Sequence, residues 1–118
     1  MRILGIESSC DETGAAIVEN GTHMLSSSVA SSMSLHAKYG GVVPEIAARM
    51  QLEVIVPTIE EALSQASTDW ADIDAIAVTV GAGLGSSLLI GVMTARTLAI
   101  TKQRPLIACN HVLGHVYA

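Results

Sequence analysis

The sequence predicts an α/β domain in which helices cover a mixed sheet that begins with antiparallel strands. Two short stretches of apolar residues come first, and the Asn20-Gly21 pair that follows them supplies the positive φ angles of a type I′ hairpin turn. Further along, helices with apolar faces alternate with short apolar strands, which is the pattern of parallel strands joined by helical connections. These two observations together predict the element order βββαβαβα.

Each element is placed by the spacing of its apolar residues and by the residues that end it. Pro44 suits the first turn of a helix, and an apolar face that includes Ile55, Ile59 and Leu63 carries this helix to about residue 65. Pro57 is expected to kink it. The predicted strands are 2–7, 14–18, 23–30, 73–80 and 105–109, and the predicted helices are 44–65, 84–101 and one that starts at 110.

The composition indicates one domain, residues 1–118, that buries part of its surface against another protein surface. Of its 118 residues, 50% are hydrophobic and only 14% charged, where an ordinary soluble domain has about a quarter charged. Large apolar surfaces usually mark contacts, so we expect packing against a second domain, another subunit or a second copy in a homodimer. No stretch is apolar for long enough to span a membrane and the start has no leader pattern, so we expect a cytoplasmic location.

Net charge and cysteine content argue against two classes of protein: those with a basic nucleic-acid-binding surface and those built on a disulfide framework. The net charge of −5 provides no basic surface for nucleic acid, so such contact would need a local patch or a partner protein. Cys10 and Cys109 do not make a disulfide framework. Cys109 is expected to be a buried strand residue. Cys10, in a polar turn, is either a reactive thiol or an ordinary turn residue.

Three loops follow strands and are expected to meet at one edge of the sheet, where the sites of α/β proteins lie. Residues 7–13 contain three acidic and three hydroxyl side chains. This composition suits a site for a phosphate, a metal or a water, and it equally suits an ordinary polar turn. Residues 81–87 place glycine amides at a helix start, either as an anion site or as a close turn. The third loop is 110–115. Glu45 and Arg49, on the first helix, are either a surface ion pair or a substrate contact.

His111 and His115 stand four residues apart, so a helix would place both imidazoles on one face. Such a pair can hold one transition metal together with at least one further ligand, which the chain does not obviously supply. Asn110 as N-cap would put both rings in the first helical turns, where the helix dipole favours the neutral form that binds metal. The alternative is surface or capping chemistry. A metalloprotease pattern is disfavoured because Val112, not Glu, follows His111.

Four segments taken together resemble the TsaD family, once called O-sialoglycoprotein endopeptidase or glycoprotease. They are residues 5–13, which read GIESSCDET, residues 36–48, residues 81–91 and residues 111–115. The resemblance runs through the whole chain but covers only the N-terminal domain of the family. Three positions depart from the family pattern: Ala82 replaces a Pro, Ser86 replaces a Gly and Gln51 replaces a His. The effect of these departures is left open.

The resemblance implies a ribonuclease-H-like fold of the kind shared by actin, hexokinase and Hsp70, known as the ASKHA superfamily. It also implies transfer of a threonylcarbamoyl group from its adenylate to the exocyclic amine of the tRNA adenosine next to the anticodon, with iron or zinc bound. His111 and His115 would be metal ligands, and the third ligand, an Asp, would lie in the absent C-terminal domain. Asp11 and Glu12 would be the catalytic acids. The implied substrate contacts are Ser9, Thr13, Glu45 and Gly83.

Three functions are carried forward as hypotheses. The first is the N-terminal domain of a tRNA threonylcarbamoyltransferase, inactive without its C-terminal half, with tRNA, a TsaB-like subunit and further threonylcarbamoylation proteins as partners. The second is a non-catalytic interaction module like the TsaB-type relatives, which lack the metal pair. The third, a metallopeptidase, is the least favoured because nothing supplies a general base beside the pair.

Overall fold

A computed structural model of the protein describes residues 1–8, 12–31, 44–81 and 85–110. The predicted order is confirmed from the first strand to the last, and the predicted final helix after Asn110 lies outside the described residues. The strands are β1 (Arg2–Glu7), β2 (Glu12–Glu19), β3 (His23–Ser31), β4 (Ala75–Val80) and β5 (Leu106–Asn110), and the helices are α1 (Pro44–Gln65), α2 (Gly85–Lys102) and a 3-10 turn at Trp70–Asp72.

The five strands form one mixed sheet in the order β3-β2-β1-β4-β5. The first three strands pair antiparallel, whereas β4 pairs parallel with both β1 and β5. The hairpin turn between β2 and β3 has Asn20 at φ 54° and Gly21 at φ 75°, which are the positive angles that a type I′ turn requires. The sheet is therefore mixed, as the sequence predicts.

Both described helices lie on the same face of the sheet. The strand register places Leu4 beside Ile17 and Ile76, and all three are completely buried on that face. On α1, the carbonyl oxygen of Ala62 accepts a hydrogen bond of 2.7 Å from the hydroxyl of Ser26, which pairs with Ile17 in the sheet. Helix α2 covers the same face, where Val78 lies close to Gly91. The hydrophobic core lies between this face and the two helices.

The other face of the sheet, which we call the open face, carries small or exposed side chains. Gly5 pairs with Ala16 and Ala77 across the three central strands, and all three are only partly buried. Cys109, opposite Thr79 on β5, is exposed. The prediction that Cys109 is a buried strand residue is therefore wrong. The reason is that β5 is an edge strand and the side chain of Cys109 belongs to the open face rather than the helix-covered one.

Helix α1 runs through Pro57 without interruption. Proline cannot donate the backbone hydrogen bond to the residue four positions earlier. One turn of this region is tied by a hydrogen bond of 2.7 Å from the hydroxyl of Thr58 to the carbonyl of Val54. The predicted kink stays a prediction, since continuity of the helix does not test it. Among the described residues, no helix is long and apolar enough to cross a membrane.

Candidate functional site

The carboxyl ends of three neighbouring parallel strands meet at one edge of the sheet. Strands β1, β4 and β5 end there at Glu7, Val80 and Asn110, and Val80 pairs with Asn110. Gly81 follows β4 with φ at +89°, a backbone conformation that favours glycine. A β-carbon at Gly81 would also lie 3.2 Å from the side-chain amide nitrogen of Asn110. The ends of β4 and β5 therefore approach closely where the sequence predicts a site.

Strand β2 brings two further candidate residues to this edge from the opposite direction. Because β2 runs antiparallel to β1, its first residues, Glu12 and Thr13, lie beside the end of β1. Glu12 is exposed, and it shares the open face with Glu7 because side chains alternate along a strand. The edge therefore gathers two carboxylates on the open side of the sheet.

A shallow cavity of about 360 Å³ lies on the open face and reaches this edge. Its polar lining residues are Glu7, Glu12, Ser27, Thr79 and Cys109. Its floor consists of small side chains, among them Gly5, Gly14, Ala16 and Ala77. The cavity is mostly apolar, and apart from Ser27 its polar residues lie toward the edge where the strands end. A mostly apolar surface with a few polar groups is the usual make-up of a binding site.

Thr13 faces away from this cavity. Its side chain is on the helix-covered face and only 1% exposed, and its hydroxyl oxygen has no hydrogen-bond partner among the described residues. Ser8, the next position along β1 from the Glu7–Gly14 pair, is likewise 1% exposed. The alternation of the hairpin therefore sends Glu7 and Glu12 to the open side and Ser8 and Thr13 to the buried side. The role of Thr13 as a substrate contact stays a prediction.

The remaining predicted site residues lie outside what the structure describes. Glu45 belongs to the first turn of α1, but its side chain is outside the described set, as are those of Gln51 and Ser86. The other residues outside it are Ser9, Asp11, Ala82, Gly83, His111 and His115. Within the described part of the chain, no three His, Cys, Asp or Glu side chains come together to hold a metal ion.

Comparison with known proteins identifies the family. Residues 23–118 match the sequence model of the TsaD family, described as "tRNA N6-adenosine threonylcarbamoyltransferase". The chain belongs to the TsaD family.

Relatives in this family are much longer than the chain. A protein of that name from Dehalococcoides mccartyi strain BAV1 is 51% identical over 118 residues, which is 100% of this chain and 36% of the relative. One from Symbiobacterium thermophilum is 56% identical over 116 residues, which is 98% of this chain and 34% of the relative. The chain thus spans about a third of the length of these relatives and corresponds to their N-terminal part.

Solved structures confirm the fold. YeaZ from Pseudomonas aeruginosa superposes with a TM-score of 0.69 at 23% identity, over 93% of this chain and 45% of that one. RuvC from T. thermophilus, in complex with a Holliday junction substrate, has a TM-score of 0.55 at 14% identity, over 95% of this chain and 66% of that one. At these identities the likeness concerns the fold alone. The TsaD-family chain therefore has the ribonuclease-H-like fold that the family resemblance implies.

Sequence reasoning missed three side chains that line the cavity of this TsaD-family domain. They are Ser27, Thr79 and Cys109; Glu7, which also lines the cavity, belongs to the loop 7–13 that the sequence predicts as a candidate site. A signal was present in the alternation of the strands. Thr79 stands three residues from the buried Ile76, so their side chains lie on opposite faces of the sheet, and Cys109 pairs with Thr79.

Proposed function

We propose that this chain is the N-terminal domain of a tRNA threonylcarbamoyladenosine transferase, an acyltransferase that works in the cytoplasm. The enzyme would transfer a threonylcarbamoyl group from its adenylate to the exocyclic amine of the adenosine next to the tRNA anticodon. The observation that carries the proposal is the 51% identity to a relative of that name over all 118 residues. The meeting of three strand ends beside two carboxylates supports it, since such an edge is where α/β proteins bind ligands.

The proposed reaction assigns the acids of the edge to the attacking amine. The adenosine amine attacks the carbonyl carbon of the threonylcarbamoyl group, a C–N bond forms, and the C–O bond to the phosphate of the adenylate breaks, releasing AMP. The amine loses one proton in this exchange. Glu12, together with Asp11, would orient the amine and accept that proton, because carboxylates at a cavity rim are able to act as general bases. Ser9, Glu45 and Gly83 would contribute substrate contacts, whereas the side chain of Thr13 lies on the other, helix-covered face of the sheet.

His111 and His115 would hold one divalent metal, iron or zinc. Their donor chemistry fits such an ion, because two neutral imidazoles suit iron and zinc and need at least one further ligand. On the family resemblance, that further ligand would be an Asp in the polypeptide beyond residue 118. When bound, such a metal supplies Lewis acidity toward a carbonyl oxygen. The described end of β5, Asn110, immediately precedes His111 in the chain.

The open face is proposed to pack against the polypeptide that follows residue 118 in the longer relatives. Relatives extend for about two further lengths of this chain. The face offers small residues at its centre and exposed aliphatic side chains at its rim, such as Val29 and Ile107. A sheet with helices on one face only is stabilised when a second layer buries the other face. The C-terminal part of the protein is thus the proposed occupant of this face.

The proposed function is tested by transfer activity of the full-length protein. Changing Glu12 to Gln is expected to lower kcat about 100-fold, because the amide neither accepts the amine proton nor carries charge. Product would be followed as threonylcarbamoyladenosine in digested tRNA, with the adenylate supplied directly. Glu60→Gln, an exposed acid on α1 away from the edge, is the matched control and should keep parent activity. The 118-residue chain alone should give no turnover, and turnover by it at the full-length rate contradicts the proposal.

A TsaB-like subunit is the proposed partner of the two helices. Helices α1 and α2 contact one another and carry five exposed aliphatic side chains, which we call the helix patch: Leu52, Val56, Leu89, Met93 and Ile100. Exposed apolar patches of this kind mark contact surfaces. The likeness to YeaZ supports this proposal. A partner with the YeaZ fold would have a pair of helices equivalent to α1 and α2, and the two pairs could pack against each other. The non-catalytic interaction module remains the second candidate function because of this patch.

Changing Met93 to Glu is expected to weaken binding of a TsaB-like subunit roughly 30-fold, since a charge would be buried at an apolar contact. The dissociation constant would be measured by calorimetry with purified proteins. Met24→Glu is the control, because Met24 is 62% exposed and Met93 58% exposed, yet Met24 lies on β3. Equal binding of the Met93 variant and the parent would exclude the helix patch as the docking site. If the protein binds the partner but the full-length form transfers nothing, the interaction module becomes the better reading.

A further inference from the structure

Helix α2 passes so close to the end of β1 that a β-carbon at residue 91 would force the side chain of Ser8 to shift. Gly91 is buried, and a β-carbon built there would overlap the hydroxyl oxygen of Ser8. The same β-carbon would lie 3.2 Å from the β-carbon of Ser8 and 3.8 Å from a methyl carbon of Val78. The distance to Val78 is an ordinary contact, so the constraint comes from Ser8 alone.

Ser8 is the first residue after β1, and its side chain lies on the opposite side of the sheet from that of Glu7. Its side chain is 1% exposed beneath α2, whereas the preceding residue, Glu7, lines the cavity on the other face. Across the hairpin the same division holds, because Thr13 is 1% exposed and Glu12 lines the cavity. On both strands, a buried hydroxyl residue thus follows a carboxylate that lines the cavity. Moving Ser8 outward would change the direction of the Glu7 side chain and of the neighbouring Glu12 side chain.

We propose that Gly91 is a positioning residue: by leaving room for Ser8 under α2, it fixes the direction in which Glu7 and Glu12 point into the cavity. Gly91 lies on the helix-covered side and is not among the residues that line the cavity; a β-carbon there would meet Ser8 and, at ordinary contact distance, Val78, which is one of the lining residues. Its effect on transfer rests on the proposed function of the edge, but its effect on the geometry of the hairpin does not.

The direction of the stability change in Gly91→Ala distinguishes this proposal from an effect of helix propensity alone. Alanine is a better helix former than glycine, so Gly91→Ala in a helix without the Ser8 contact should stabilise the protein. Because of the overlap with Ser8, Gly91→Ala is instead expected to lower Tm of the full-length protein by roughly 2–4 °C. Thr97→Ala, at an exposed position of the same helix, is the control and should not lower Tm by this amount.

The positioning role is tested by compensation between the two residues in the full-length protein. Gly91→Ala should lower kcat about tenfold with KM for tRNA nearly unchanged, because small misplacements of catalytic groups cost rate rather than binding. Combining Gly91→Ala with Ser8→Gly removes both close contacts and should restore most of the lost rate. Combining it with Ser8→Ala removes only the hydroxyl overlap and should restore less. Ser8→Thr, which enlarges the buried side chain that Gly91 accommodates, is a second variant that perturbs the same contact if Gly91→Ala does not fold.

A readout independent of activity is the backbone amide NMR shift of Glu7 and Glu12. Both should move in the Gly91→Ala protein and return when Ser8→Gly is added, while the amide of Glu19, at the far end of β2, stays in place. If the parent transfers no threonylcarbamoyl group but these shifts follow the pattern, the proposed function fails and the positioning of the hairpin stands. Unchanged amide shifts in Gly91→Ala, or a loss of rate that Ser8→Gly does not restore, would overturn the positioning role of Gly91.

Discussion

Changing either His111 or His115 to Ala in the full-length protein is expected to remove the bound metal and to lower kcat for threonylcarbamoyl transfer about 100-fold to 10,000-fold. The range follows from the several kcal/mol that a Lewis-acidic metal contributes to a transition state, at about 1.4 kcal/mol for each factor of ten in rate. Removal of one imidazole leaves too few protein ligands for a stable site. Metal content would be measured by plasma mass spectrometry on protein purified without chelator, and activity by product formation on tRNA.

The matched control for the histidine pair is His23→Ala. His23 is exposed at the start of β3, paired with Glu19 at the end of the sheet opposite the candidate site. This variant should keep both metal and activity. Loading the proteins separately with iron and zinc distinguishes the two metals. Full metal content in both the His111 and the His115 variants would contradict the proposed ligand pair and would mean that the metal binds elsewhere.

Much of the fold follows from local patterns that the sequence displays. The alternation of aliphatic residues around Leu4 and Ile17 predicts a strand pair, and Asn20-Gly21 between that pair and β3 predicts the turn. Parallel strands place their carboxyl ends at one edge, so the meeting of the ends of β1, β4 and β5 was also predictable. These features depend on neighbours in sequence and on general rules of chain connection.

Other features depend on contacts between distant parts of the chain, and the sequence alone does not specify them. Cys109 has aliphatic neighbours that suggest burial, yet its exposure is decided by the position of β5 at the sheet edge. Gly91 reads as an ordinary small residue of an apolar helix, and only the approach of Ser8, more than 80 positions away, explains it. The family resemblance indicates Glu12 as a site residue, whereas its orientation toward the cavity follows from the strand pairing.

The last prediction compares the two faces of the sheet through a matched pair of isoleucines. Ile76 and Ile107 lie on neighbouring strands; Ile76 is completely buried under the helices, whereas Ile107 is 43% exposed and belongs to the open face. Ile76→Ala should lower the free energy of unfolding by about 2–5 kcal/mol in both the 118-residue chain and the full-length protein, because each loses the same core contacts. Ile107→Ala should cost less than about 1 kcal/mol in the 118-residue chain.

In the full-length protein the cost of Ile107→Ala should rise toward that of Ile76→Ala, since the polypeptide after residue 118 is proposed to bury the open face. Urea unfolding of the four variant proteins and the two parents measures these differences. An equally small cost of Ile107→Ala in both lengths would mean that the C-terminal part of the protein leaves this face uncovered. In that case, the small residues at the centre of the face would require a different occupant, and the cavity beside Glu12 would remain accessible from the open side of the sheet.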